Sequence, residues 1–112
     1  MLQKSRRLTR HTFPNDHREG FVVHSEHISL RITPKNAEKA RFSAVISKKV
    51  ASGSPERHTW KRRIYEIVAI FEKKTPLPPA SYVFFAKKGS TKLSYKDLTL
   101  ESEELIRQGL KK

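Results

Sequence analysis

SPERHTWKRRIYE, spanning Ser54–Glu66, reads as the opening of a helix with one face for a protein core and another for phosphates. Ser54 suits the N-cap, because its hydroxyl can accept a hydrogen bond from a free N–H of the first turn. Pro55 suits the first helical position, where a missing donor costs nothing. Glu56 follows where the positive end of the helix dipole favours an anion. Beyond it, Trp60, Ile64, Ile67, Val68 and Phe71 form one apolar stripe at the helical period, which carries the helix to Glu72. At roughly 100° per residue, His58, Lys61, Arg62 and Tyr65 share a different face, with Arg57 on its border. An ordinary amphipathic helix also has a charged face, but here Glu66 is the only carboxylate between Arg57 and Phe71.

On the N-terminal side, residues 1–12 form a basic arm. A short helix is expected over 13–19, with Thr12 as its cap, Pro14 in its first turn and Gly20 ending it. Phe21–His24 is a short β-type run. His27–Thr33 alternates, with Ile28, Leu30 and Ile32 on one side and Ser29, Arg31 and Thr33 on the other, which predicts a strand. Pro34-Lys35-Asn36 has turn chemistry. Arg41–Ser47 alternates again, with Phe42, Ala44 and Ile46 inward and Ser43, Val45 and Ser47 outward. Ala51-Ser52-Gly53 is a loop.

On the C-terminal side, Pro76, Pro78 and Pro79 force an extended connection. Ser81–Lys87 is an aromatic-rich strand in which Tyr82 and Phe84 belong to the core, and Gly89–Lys92 is a turn. A last helix is expected over Thr99–Gln108, where helix electrostatics account for Glu101 and Glu104, and Gly109 ends it. The whole is a single α+β domain over residues 1–112 in the order α-β-β-β-α-β-α. Helices cover one face of its sheet and leave the other free.

The chain has 112 residues, with 24 Lys and Arg against 11 Asp and Glu, a net charge of +13. Such an imbalance repels itself and calls for a polyanionic partner, nucleic acid first. An anionic membrane is the weaker candidate, since no segment is a strongly apolar amphipathic helix rimmed with lysine. No run is long enough to span a membrane, and MLQKSRRLTRH has no apolar core for a secretory signal. The absence of cysteine excludes disulfides, zinc ribbons and thiol catalysis, and suits the cytoplasm.

No nucleotide-binding glycine loop is present, and none of His11, His17, His24, His27 and His58 stands at zinc-motif spacing. No catalytic set follows from spacing, so the chain alone does not read as an enzyme. Its basic groups recur in several segments: Lys4, Arg6, Arg7 and Arg10; Lys48 and Lys49; Arg57, Lys61, Arg62 and Arg63; Lys87 and Lys88. Together with Arg31 they can line more than one RNA-facing surface, with affinity supplied by counterion release. Single-stranded bases can then lie along an open sheet face or stack on aromatics; Tyr82, Phe84 and Phe85 are the candidates, and alternation puts at least one set of them in the core, where Tyr82 and Phe84 fit better.

At this point the chain resembles the protein subunit of bacterial ribonuclease P. That family's S-K-K-V-G, followed after a short link by R-N-R-x-K-R-x-x-R-E on a helix, is similar to Ser47-Lys48-Lys49-Val50-Ala51 and Arg57–Glu66. Arg7-Leu8, Phe13 and Gly20 match earlier features in order. Ser81–Lys88 resembles its D-Y-V-x-x-A-R-K strand, and Leu93–Leu98 its L-x-Y-x-x-L. The family's Asn is His58 here, its second arginine Thr59 and its last arginine Tyr65, so the chain is a divergent member.

The resemblance implies a fold like domain 2 of ribosomal protein S5, with a left-handed β-α-β crossover. It implies that a catalytic RNA, using magnesium at its own active site, removes the 5′ leader of precursor tRNA. The protein would assist through two surfaces. One is a catalytic-RNA-binding face of Lys48, Lys49, Arg57, His58, Lys61 and Arg62. The other is a leader-binding cleft of Phe13, Ser29, Arg31, Val45 and Lys87. No catalytic residue and no metal ligand are assigned, and neither a membrane nor an obligate protein partner is expected. Two alternatives stand beside this reading. One is a generic or ribosome-associated RNA-binding module; the other is an adaptor whose basic face meets an acidic protein.

Overall fold

The computed structural model describes residues 20–33 and 39–111. The helix expected over 13–19, the basic arm and the turn at Pro34-Lys35-Asn36 lie outside these residues. Four strands, β1 (Phe21–His24), β2 (Ile28–Thr33), β3 (Arg41–Val45) and β4 (Ser81–Ala86), and two helices, α1 (Ser54–Lys74) and α2 (Tyr95–Leu110), follow in the order β-β-β-α-β-α. A short 3-10 turn, Ser90–Lys92, precedes α2.

The sheet runs β1-β2-β4-β3. β1–β2 and β2–β4 are antiparallel, and β3–β4, joined through α1, is parallel. Alternation sorts each strand as expected. Val23, Leu30, Ile32, Phe42, Ala44, Tyr82 and Phe84 enter one core with Trp60, Ile64, Ile67, Val68 and Phe71 of α1 and Leu98, Leu105 and Ile106 of α2. Both helices therefore cover the same face of the sheet. Phe42 and Tyr82, register partners across β3–β4, stack with ring centroids 5.2 Å apart. The Tyr82 hydroxyl donates to Pro78 O at 2.7 Å, tying the proline-rich connection to the core. Burial, with the nearby Glu72 charge, pushes that phenol up to about 12.

Local chemistry differs from expectation in four places. Gly53, extended at φ −85° and ψ 131°, is the N-cap of α1, so Ser54 is already helical and no side chain caps this end. α2 begins at Tyr95, a full turn earlier than Thr99, because the Ser94 hydroxyl accepts from Asp97 N at 3.1 Å. Gly109 does not end α2 but lies within it, buried, where a Cβ would overlap Ile32 Cδ1; the bare backbone lets the helix settle onto β2. The far face of the sheet is also not open at its centre. Val83 is 1% exposed, and Ser29 and Thr33 are 8% and 6% exposed. β2 and β4 are the inner strands, so Ser29 and Val83 are flanked on both sides across the ladder.

Candidate nucleic-acid interface

The first cationic surface is built by the β3–α1 loop and the leading half of α1. Val50 N and Ala51 N both donate to Ser47 O at 3.1 Å, folding a tight turn that leaves Lys48 and Lys49 exposed. Arg57 Nη1 donates to Ala51 O and Ser52 O, each at 2.8 Å, so its guanidinium clamps this loop to the first turn of the helix. Arg57 thus spends part of its hydrogen-bonding capacity on structure, a role its place in the signature did not reveal. His58 and Arg62 are exposed and Lys61 and Tyr65 half-buried along the neighbouring face.

Glu66, the one carboxylate of this stretch, points to the other flank of α1. There it faces the Tyr95 hydroxyl, whose pKa is raised by burial and then by Glu66, and lowered by nearby Arg63. Arg63 also lines a hollow of about 210 Å³ with Glu56, Thr59, Trp60 and Thr91 on that flank. Among the described residues no carboxylate pairs with Lys48, Lys49, Lys61 or Arg62. The result, among the described residues, is a ridge of positive charge with no paired carboxylate.

The second surface is the sheet face turned away from the helices. Cross-strand register sets His24, Ser29, Phe85 and Val45 in one row, and Val22, Arg31, Val83 and Ser43 in the next. Ser29, Arg31 and Val45 thus share one face, around Phe85. Phe85 is missing from the set the resemblance supplied. Its signal was the alternation that sends Tyr82 and Phe84 into the core. Phe13 lies outside the described residues. Lys87 stands just past the end of β4, its Nζ donating to Ser25 O at 2.8 Å and its N–H to His27 O at 2.9 Å.

Next to Lys87 is a cluster that no sequence spacing indicates. Glu101 Oε2 accepts from Ser25 Oγ at 2.7 Å and from His27 N at 2.9 Å, and Oε1 lies 3.0 Å from His27 Nδ1. Glu101 is past the first turn of α2, and its carboxylate serves the β1–β2 turn rather than the helix dipole. The hydrogen bond to Glu101 raises the His27 pKa, against desolvation. Burial raises that of Glu101, but the hydrogen bonds from His27 and Ser25 and the His27 charge outweigh it and leave it lowered.

A raised imidazole contributes stability that is lost as pH rises through its folded value. A lowered carboxyl contributes stability that is lost as pH falls through its folded value. The latch is therefore fully formed between the ordinary values of 4.5 and 6.5. In urea titrations across a pH series, the stability gap between the native chain and His27→Gln should peak in that window. It should shrink on both sides, and a gap independent of pH would refute the ion pair.

The family comparison bears on the whole chain. The Ribonuclease P family model matches residues 1–109. Among solved structures the chain is similar to a Staphylococcus aureus RNase P protein mutant with defective mRNA degradation activity. That match has a TM-score of 0.80 at 17% identity and covers 93% of this chain and 87% of that one. It is similar also to the Staphylococcus aureus RNase P protein, with a TM-score of 0.73, 19% identity and coverage of 97% and 92%. For the RNase P protein from Thermotoga maritima the TM-score is 0.71 at 16% identity, covering 81% and 84%. A comparison with curated protein sequences returns no match. With the family model spanning nearly all of its length and the same fold in these proteins, the chain belongs to the Ribonuclease P protein family.

Proposed function

We propose that this chain is the cytoplasmic RNA-binding subunit of ribonuclease P, assisting a catalytic RNA in removing the 5′ leader of precursor tRNA. The observation that carries the proposal is the ridge of Lys48, Lys49, His58, Lys61 and Arg62, whose lysines and arginine pair with no carboxylate among the described residues, on a loop and helix clamped together by Arg57. A rigid row of cations matches a folded RNA, whose phosphates are fixed in space, and gains affinity by releasing its counterions. The leader is unpaired, so a different surface suits it. Phe85, partly exposed between Ser29 and Val45, offers a face for a base, while Arg31 and Lys87 stand at neighbouring positions for its phosphates.

Magnesium in this reading belongs to the RNA, where it supplies the hydrolytic chemistry. Among the described residues no three His, Asp or Glu side chains gather as a metal site would require. The chain's part is to bind, orient and screen charge. No described helix is long and apolar enough to cross a membrane.

The test is multiple-turnover cleavage of precursor tRNA by a bacterial ribonuclease P RNA at low magnesium, with and without the chain. The chain alone should cut nothing, and its addition should raise turnover and the affinity for leader-bearing substrate. Binding to structured RNA with no gain in cleavage would reduce it to a generic RNA-binding module.

A further inference from the structure

We infer that Glu101 is a positioning residue for the leader cleft: its carboxylate fixes the Ser25-Glu26-His27 turn, and that turn holds the Lys87 ammonium at the cleft's end. The inference rests on the proposed leader-binding role and adds a residue, from the other side of the sheet, that this role requires. Glu101 belongs to α2, on the helix-covered side, and cannot reach a leader lying on the opposite face. Its influence passes through the turn. Three donors from that turn, Ser25 Oγ, His27 N and His27 Nδ1, converge on its two oxygens within 3.0 Å. Ser25 N also donates to Ile28 O at 2.8 Å, closing the turn on itself.

The turn then grips Lys87 twice, Ser25 O taking its Nζ and His27 O its backbone N–H. A lysine side chain loses substantial rotamer entropy when a phosphate immobilises it. Here that entropy is already lost, and an ammonium has three donors, of which Ser25 takes one. Glu26 and His27 are the other titratable groups of the turn. Glu26 is exposed and 3.9 Å from His27 Nε2.

The experiment uses the complex reconstituted from the full chain and a bacterial ribonuclease P RNA. Affinity and steady-state kinetics are measured for precursor tRNA with a leader and for the same tRNA without one. Lys87→Ala and Glu101→Ala should each weaken leader-dependent binding, by about five- to tenfold for loss of a charge-assisted contact. The change should lie in KM rather than kcat, with leaderless binding unchanged. The double variant should be no worse than Lys87→Ala alone, since both remove one interaction.

Should Lys87→Ala weaken the leader effect and Glu101→Ala not, the positioning role is overturned while the leader cleft stands. Should Lys87→Ala itself do nothing, the cleft assignment fails and the inference with it. Glu101→Gln guards against misfolding. It keeps one acceptor oxygen and should fold, assemble with the RNA normally and show an intermediate leader defect. A wild-type leader affinity in that variant, with Glu101→Ala unfolded, would leave Glu101 a purely structural residue and overturn the proposal.

Discussion

Gly20→Ala is expected to destabilise the chain by about 3 kcal/mol or more, combining backbone strain with a steric clash. Gly20 sits at φ +83°, in the left-handed region that a Cβ makes costly. Any side chain there would also land on Ile32 O and 2.9 Å from Thr33 Cα. Neither atom can retreat, because both belong to β2, which is held on its other side by β4. Ile32 is moreover the register partner of Phe21, the first residue of β1, so displacing it opens the β1–β2 ladder from its end. Gly53→Ala is the matched control. Gly53 has an ordinary extended backbone, and no atom beyond its chain neighbours lies within 4 Å of the point an added methyl would occupy, so its replacement should cost only the poorer fit of alanine at an N-cap, about 1 kcal/mol or less. Urea unfolding of the two variants at one pH gives the comparison. A Gly20→Ala loss no greater than that of Gly53→Ala would mean that the sheet edge yields freely.

Strand positions were legible in the sequence because half-buried strands write their geometry as alternation. Phe42, Ala44, Tyr82 and Phe84 fall on the core side as period two requires. α1 was legible for the same reason at period 3.6, and its cationic face appeared as charge without acid. Features set by contacts distant in the chain were not legible. Gly109 looked like a helix stop because glycine commonly follows a helix end; only the approach of Ile32 explains it as a packing residue. Glu101 looked like a helix-dipole carboxylate, and nothing near it in sequence announces Ser25 and His27 as its donors. The early start of α2 was the exception, for Ser94-Tyr95-Lys96-Asp97 carries a local capping pattern that foretells it. Of the two surfaces, the ridge could be read from spacing, whereas the cleft residues came from resemblance. Register places Ser29, Arg31 and Val45 together around a Phe85 that alternation had already turned away from the core.

Neutralising Lys48, Lys49, Lys61 and Arg62 together with alanine should weaken binding of the catalytic RNA by about 100-fold or more at physiological salt. Each lost phosphate contact removes roughly 0.7–0.9 from the slope of log affinity against log salt, so four should flatten it by about 3. The decisive comparison is a variant that loses the same charge elsewhere: Lys73, Lys74, Lys96 and Lys111, all exposed, two at the end of α1 and two on or after α2. Both variants fall from the same net charge of +13 by four units, so any effect of overall attraction is shared. If the chain merely bathed in the field of a polyanion, the two would lose affinity equally. A ridge docked against fixed phosphates makes the first far more damaging, with the control losing less than about fivefold and keeping nearly its full salt slope. Folding does not confound the result. Three of the four ridge side chains are exposed and none pairs with a described carboxylate, so their removal leaves the core and the Arg57 clamp intact. Equal losses in the two variants would remove the physical ground for assigning the RNA-docking face to α1.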